Sequence, residues 1–516
     1  MRRRLIPLTL SLGLAGLVLA GCAVTTQATT TSQATTSTTE LISDVDPAIP
    51  QAAAELLAAN ADGTVVTDDE WSLADAVSIT LSGNTASTDA EGVDISGSTV
   101  TVTSAGVYRL SGELAGQVVV DAPDDALVVL VLDDATISAV NGAAIQVVGA
   151  DDVAVNLAGG TTNSVTASTS SEDEASAAIY ADTDLTISGT GSLSVTDTGN
   201  DGISATDDLA VIGGTITVEA ADDGLRGKDS LVISAGAITV TAGGDALKSD
   251  QTDDAARGYV WITGGTLEAT AGDDGIDAQT DAIITGGTIE LAADDDGIHS
   301  ETALAIAGGS ITISRSYEGI ESADIRIAGG ATEVNSSDDG LNASGNTSSG
   351  AAGGGGMSDS GETLTISDGT LLVNADGDGL DSNGTIEMTG GTVTVYGPTA
   401  QNNGALDSNG GITVSGGVLV AIGSSGMAES PEESSPQGWL AASANGSAGS
   451  TVEISDASGA VIASYTATKT FASVVFSSSD VTDGESYTVA VDGSTTTVTA
   501  GQAAAGGMGQ GGGGRR

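Results

Sequence analysis

Apolar and polar positions recur in a fixed order along this chain. Between residues 200 and 300 an acidic turn, one large aliphatic residue and an outward-pointing neighbour repeat as NDGISA, DDGLRG, GDALKS, DDGIDA and DDGIHS. Aligned on the aliphatic residue (Ile203, Leu225, Leu247, Ile276 and Ile298), the copies lie roughly 22 residues apart, and the one longer step holds the extra DQTDDAARG after Ser249. The anchor continues at Ile320, Leu341, Leu380 and Leu406. Between the acidic turns lies a second signature, an alternating run broken by Gly-Gly, as in AVIGGTITV, WITGGTLEA, IITGGTIEL and EMTGGTVTV.

Strict alternation, as in Thr288, Ile289, Glu290 and Leu291, bounded by Gly or Asp-Asp-Gly, predicts short strands joined by tight turns. Helical repeats are excluded, and neither a leucine-rich frame nor a nonapeptide calcium frame is present. The reading that remains is all-β, a parallel β-helix with about 22 residues per coil. Identical positions of successive coils then stack about 4.8 Å apart. The predicted core columns are Leu209, Leu231, Val260 and Leu304 on one face, and Ile216, Ile238, Leu267, Ile289 and Ile311 on the next. Gly-Gly marks corners that need positive φ, so replacing Gly286 by Val is expected to break one.

The remainder divides by composition. Residues 1–21 read as a lipoprotein signal peptide: Arg2, Arg3 and Arg4 precede an apolar stretch, and Leu19-Ala20-Gly21-Cys22 resembles the bacterial lipobox. Cys22, the sole cysteine, excludes a disulfide framework and is the predicted lipidation site. The alternative is an ordinary secreted protein cleaved near Ala20. A Thr/Ser/Gln-rich tether is expected over 22–60, with a short helix within 47–59. Residues 61–175 read as an N-terminal cap with the first, irregular coils, since a solenoid covers its open end with atypical sequence. Regular coils run over 176–425, interrupted by a flexible insertion at 346–361. A connection and small C-terminal β cap occupy 426–500, and 501–516 is a Gly-rich tail.

Charge narrows the partners. With 70 Asp and Glu against 13 Lys and Arg, the net charge of -57 excludes binding of nucleic acid through phosphate neutralisation. It also argues against bare attraction to anionic lipid or acidic sugar. Scattered acids suit a solubilising surface. Those of the repeat do not scatter: Asp201, Asp223, Asp245, Asp274, Asp296, Glu318, Asp339 and Asp378 fall at one structural position. Two like charges about 4.8 Å apart repel by about 3 to 4 kcal/mol at an effective dielectric of 20. Ligands on opposite sides of a calcium ion are about 4.6 to 5.2 Å apart, so adjacent coils could share one. The alternative is that Asp-Asp-Gly is simply favourable turn chemistry.

The residue after the anchor forms a second column: Ser204, Arg226, Lys248, Asp277, His299, Glu321, Asn342, Asp381 and Asp407. Asp277, Glu321 and Asp381 join the candidate metal ligands. Arg226, Lys228, Lys248 and Arg257 form a basic cluster in an acidic chain, suited either to an anionic ligand bridged by calcium or to internal salt bridges with the ladder. Beside them Tyr259 and Trp261 alternate outward, where they could stack on sugar rings or pack beneath the 250–257 excursion. His299, the one histidine, receives no role.

Several unlike motifs now occur in order: YRLSGELAGQVVVDA, GLRGKDSLVISAGAITVTAGGDALKSD, GYVWITGGTLEATAGDDGIDAQ and GSSGMAESPEESSPQGWL. Over roughly residues 71–500 the chain resembles a secreted carbohydrate-binding family with a right-handed parallel β-helix similar to that of pectate lyases. The resemblance implies binding of cellulose and acidic, pectin-type polysaccharide, with calcium held by the coils. Ala246 stands where the family pattern has Gly. The expected function is therefore a non-catalytic, calcium-binding polysaccharide-capture protein, lipid-anchored through Cys22 on the outer face of a bacterial membrane. Two alternatives stand beside it: a calcium-dependent polysaccharide lyase with Arg226 or Lys248 as base, and an acidic structural envelope protein.

Overall fold

The computed structural model describes residues 39–40, 49–173, 175–345 and 358–504. The signal peptide, Cys22, most of the tether, residues 346–357 of the insertion and residues 505–516 of the tail lie outside them.

The described chain is all-β apart from a helix at Gln51–Leu57 and one 3-10 turn. Each acidic turn leads into a strand of three residues, such as Leu225–Gly227, Leu247–Ser249, Ile276–Ala278 and Ile298–Ser300. These pair with the equivalent strand of the next repeat, in parallel and without slippage, within a 14-stranded sheet from Val93–Ser96 to Leu406–Ser408. Longer strands form the rest of each rung. Asp208–Ala220 pairs with Leu185 to Ile187 before its Gly-Gly and with Ser192 to Asp197 after it. Because such strands run through the corner and pair on both sides, the two longer ladders join into one closed sheet.

All three predicted apolar columns are buried. Leu209, Leu231, Val260, Ala282 and Leu304 are in register, as are Ile216, Ile238, Leu267, Ile289 and Ile311. The anchors Ile203 to Leu406 complete the third side. Each such side chain contributes roughly 1.5 to 3 kcal/mol by burial. Only every second residue of a strand can point inward, which is why the alternation was so regular. The irregular sequence before residue 175 stacks in parallel below the regular rungs through Gln117–Asp121, Ile145–Gly149 and Ala177–Ala181, with one register shift between Val147 and Gly149. At the other end Phe471–Ser477 pairs antiparallel with Val418–Gly423, and a four-stranded antiparallel sheet with its own core follows.

Two expectations need correction. A tether is expected through residue 60, yet Gln51–Leu57 packs Ala53, Leu56 and Leu57 onto Tyr259, Trp261 and Ile283, and Thr39–Glu40 pairs with Thr64–Val65, so folded structure begins well before residue 60. Three apolar residues on one face of this helix, unremarkable in an Ala-rich stretch, find a sheet to cover. Residues 58–66 continue as a strap: the Ala61 N–H donates to the Ala256 carbonyl, Thr64 N–H to Asp208 and Val66 N–H to the Thr186 hydroxyl.

The second correction concerns the corners, where the paired glycines serve different purposes. Gly287 has φ +94°, the left-handed region that disfavours any Cβ. Gly286 does not; a Cβ there would lie 2.2 Å from the Thr263 carbonyl oxygen of the preceding rung. The first glycine of the pair permits close stacking, and the second permits the turn. Gly286→Ala is therefore expected to destabilise by more than about 3 kcal/mol. Gly459→Ala, at φ +86° with open space around it, should cost only about 1 to 2 kcal/mol. Urea unfolding of the two variants checks this order.

Candidate functional site: a charged face on the short-strand sheet

The three-residue strands bury their first and third residues and point the middle one outward. Register brings the outward residues into one column, Ser204, Arg226, Lys248, Asp277, His299, Glu321, Asn342, Asp381 and Asp407. Beside it runs the ladder of turn carboxylates, and the ladder has a structural use. The Oδ1 of each Asp accepts the backbone N–H of the next: Asp223 onto Asp201 at 3.3 Å, Asp245 onto Asp223 at 3.0 Å, Asp274 onto Asp245 at 2.9 Å and Asp296 onto Asp274 at 2.8 Å. Further along, Asp378 N–H donates to Asp339 at 2.6 Å. The turn repeats because each carboxylate satisfies the donor that the next turn leaves unpaired.

That leaves Oδ2 for the outward column, and here the face divides. In its first half the column supplies Arg226, Lys248 and His299, with the acid Asp277 between the last two. Arg226 pairs with Asp250 at 2.6 Å and reaches Asp201 at 3.8 Å. Lys248 contacts Asp245 directly and lies 3.7 Å from Asp223 and 3.5 Å from Asp277. His299, to which no role was given, places Nδ1 3.0 Å from Asp277 and 3.9 Å from Asp274. Burial pulls His299 down, but those carboxylates outweigh it and lift its pKa to about 9. Burial likewise pushes Asp277 up, and the charges of His299 and Lys248 reverse this, holding it below the usual carboxylate range.

In the second half the cations stop. Glu321, Asn342, Asp381 and Asp407 follow, flanked by Glu318, Asp339 and Asp378, and no ion pair to any of these acids occurs among the described residues. Burial, reinforced by neighbouring carboxylates, raises Glu318 to about 7, Asp339 to about 6, Asp378 to about 7 and Asp381 to about 8; Asp296 is pushed well above the carboxylate range. Oxygens of Asp296, Glu318 and Glu321 all lie within 4.8 Å of one another, close enough to ligate one ion. Asp274 with Asp277 and His299, and Asp245 with Asp273 and Asp274, form similar groups. Asn342 donates Nδ2 to Glu318 at 2.7 Å, while its buried Oδ1 has no partner among the described residues.

The remaining predicted contacts scatter. Arg257 pairs with Asp229, at the edge of a different sheet, and the Lys228 ammonium makes no ion pair among the described residues. Tyr259 and Trp261 do point away from the core, but they are 1% and 5% exposed, so they cannot stack on a sugar. Their cover is the helix Gln51–Leu57 rather than the 250–257 excursion. The Tyr259 hydroxyl donates to the Ala61 carbonyl at 3.0 Å, and the Trp261 indole donates to Thr285 at 3.2 Å. The sequence reading also missed a second stack of acids, Asp152 and Asp208 buried and Asp184 half-buried, on the sheet that the strap covers. Its signal was an Asp at the start of three consecutive strands.

With this geometry in hand, comparison with known proteins is informative. Residues 96–340 match a family described as carbohydrate-binding domain-containing proteins. A carbohydrate-binding domain-containing protein of Acetivibrio thermocellus is 36% identical over 137 residues, which is 25% of this chain and 48% of that one. The chain thus spans about half the length of the curated relative it matches. A solved structure, the gadolinium derivative of a polysaccharide lyase-like protein from C. thermocellum, is 35% identical, with 44% of this chain and 95% of that chain covered and a TM-score of 0.43.

The raised carboxyl groups link stability to pH. A carboxyl whose folded pKa exceeds its unfolded value near 4 binds a proton in the native state that the unfolded chain has lost, so stability falls as pH rises through the folded value. Glu318, Asp378 and Asp381 place that loss between about pH 4 and 8, and His299, raised from 6.5 to about 9, acts in the same direction. The melting temperature in chelator is expected to be higher at pH 5.5 than at pH 8.5, as a calorimetric pH series would show.

Proposed function

We propose that this chain is a calcium-binding carbohydrate-binding protein that captures acidic, pectin-like or cellulosic polysaccharide while anchored through Cys22 on the outer face of a bacterial membrane. Its scaffold in this reading is a right-handed parallel β-helix, supported by the in-register parallel stacking of the three-residue strands. The observation that carries the function is the uncompensated half of the charged face, from Asp296 through Glu318, Glu321 and Asp381. An all-oxygen donor set of carboxylates suits a hard divalent cation. Residues that would hold it are Asp296, Glu318 and Glu321, with Asp339, Asp378 and Asp381 continuing the set. A uronate cannot approach bare carboxylates, since like charges repel. An ion held at the surface reverses the sign, leaving coordination positions for sugar carboxylate and hydroxyl oxygens.

The lyase alternative requires a base able to give up its proton near neutral pH. Burial pulls Lys248 down, yet the carboxylates of Asp223, Asp245 and Asp277 more than offset it and raise its pKa; those around Arg226 do the same. Neither side chain is poised as a base. An acidic structural role makes no demand for sugar, and the titration below separates it.

Calorimetric titration of the full chain with polygalacturonate should give heat in calcium and none in chelator. A fragment beginning at Trp71 is unsuitable, because it would strip the helix from Tyr259 and Trp261. Asp381→Asn together with Glu321→Gln should weaken binding at least tenfold, the equivalent of about 1.4 kcal/mol, while binding unaffected by both changes and by chelator would remove this reading.

A further inference from the structure

The outward column gives its position to a cation at Arg226, Lys248 and His299, with Asp277 between the last two and paired to both, and to an acid or amide on every rung after His299. The Lys248 ammonium stands among carboxylates from three successive rungs: Asp223 at 3.7 Å, Asp245 in direct contact and Asp277 at 3.5 Å. One rung before, Arg226 bridges Asp201 and Asp250. Two rungs after Lys248, His299 bridges Asp277 and Asp274, the two acids with which it could itself form an ion-ligating group. Carboxylates on neighbouring rungs are about 4.8 Å apart, and the ligands across a divalent ion are separated by nearly the same distance. A side-chain cation and a bound ion therefore solve the same electrostatic problem at the same place.

Beyond His299 no side-chain cation takes the position. Asn342, 9% exposed, instead leaves its Oδ1 without a partner among the described residues beside Glu318, where no positive group offsets the acids. We infer that Arg226, Lys248 and His299 are built-in substitutes for divalent ions, so that the residue following each apolar anchor decides, rung by rung, whether the face takes up an ion. Asp277, the one acid at that position before His299, is already paired with Lys248 and His299 on either side, so loading falls on the rungs from Asp296 onward, and the polysaccharide meets bound ions there. This inference rests on the cation-binding reading of the face, and it adds the rule that distributes the ions.

The test removes a side-chain cation and counts calcium. Equilibrium dialysis of the full chain against calcium alone, for wild type, Lys248→Gln and His299→Gln, gives bound ions per chain, and melting with and without chelator gives the stability that each ion confers. The expected result is one additional calcium in at least one variant, with a larger calcium-dependent rise in melting temperature than in wild type. A variant that folds only in calcium is the extreme form of that result. If neither variant takes up more calcium than wild type and neither is rescued by it, the inference is overturned. The outcomes also separate the two readings: a wild type that binds no calcium, beside a variant that binds one, would remove the ion-bridged function and leave the substitution rule standing. A wild type that binds calcium and polygalacturonate, beside variants that gain nothing, would do the reverse.

Discussion

Parallel hydrogen bonding between identical positions of successive repeats is the constraint from which the rest of this structure follows. Because the register does not slip along the three-residue strands, whatever occupies one position there meets its own counterpart about 4.8 Å away on both sides. For an aliphatic residue that is an advantage, and the columns through Leu225 and Leu231 become continuous core. For a glycine it allows backbones to approach at the corners. For a carboxylate it is a liability, and the chain manages that liability in three ways. One oxygen accepts the next turn's N–H. The other faces a side-chain cation on some rungs, and burial keeps the proton on to higher pH than usual in both halves, at Asp201 and Asp274 as at Asp378.

These devices differ in how they depend on neighbours. The hydrogen bond from Asp296 N–H to Asp274 is local to two rungs and serves folding whether or not an ion is present. The ion pairs of Lys248 reach across three rungs, and so tie the charge state of one turn to the residue chosen on the next. A face built this way cannot be altered at one rung without changing the electrostatics of the two beside it.

What could be read from the sequence is what the repeat itself encodes. Strand spacing, the three apolar columns and the outward column from Ser204 to Asp407 all follow from counting, and each is found in register. What one column does to another was harder to see. The ladder suggested ions, but a count of spacing does not reveal that Oδ1 of Asp223 is already engaged by the Asp245 N–H. His299 looked like a lone histidine because its partner Asp277 is a full repeat away. Tyr259 and Trp261 were correctly placed on the outer side of their strand, yet their burial depends on Leu56 and Leu57, some two hundred residues earlier and outside the repeat altogether. Periodicity carries no information about a segment that is used once.

That single-use segment has a consequence for the order of events during synthesis. The helix Gln51–Leu57 and the strap after it rest on strands around residues 186–326, with Asn60 bonded to Asp281 and Arg326 reaching Glu55. A ribosome delivers the strap well before its landing surface. Seven residues do not hold a helix alone in water, so the segment waits uncommitted until the rung bearing Arg326 exists. Its docking then crosses rungs that had until that moment contacted only their neighbours. A segment made early therefore settles only after the rungs it covers.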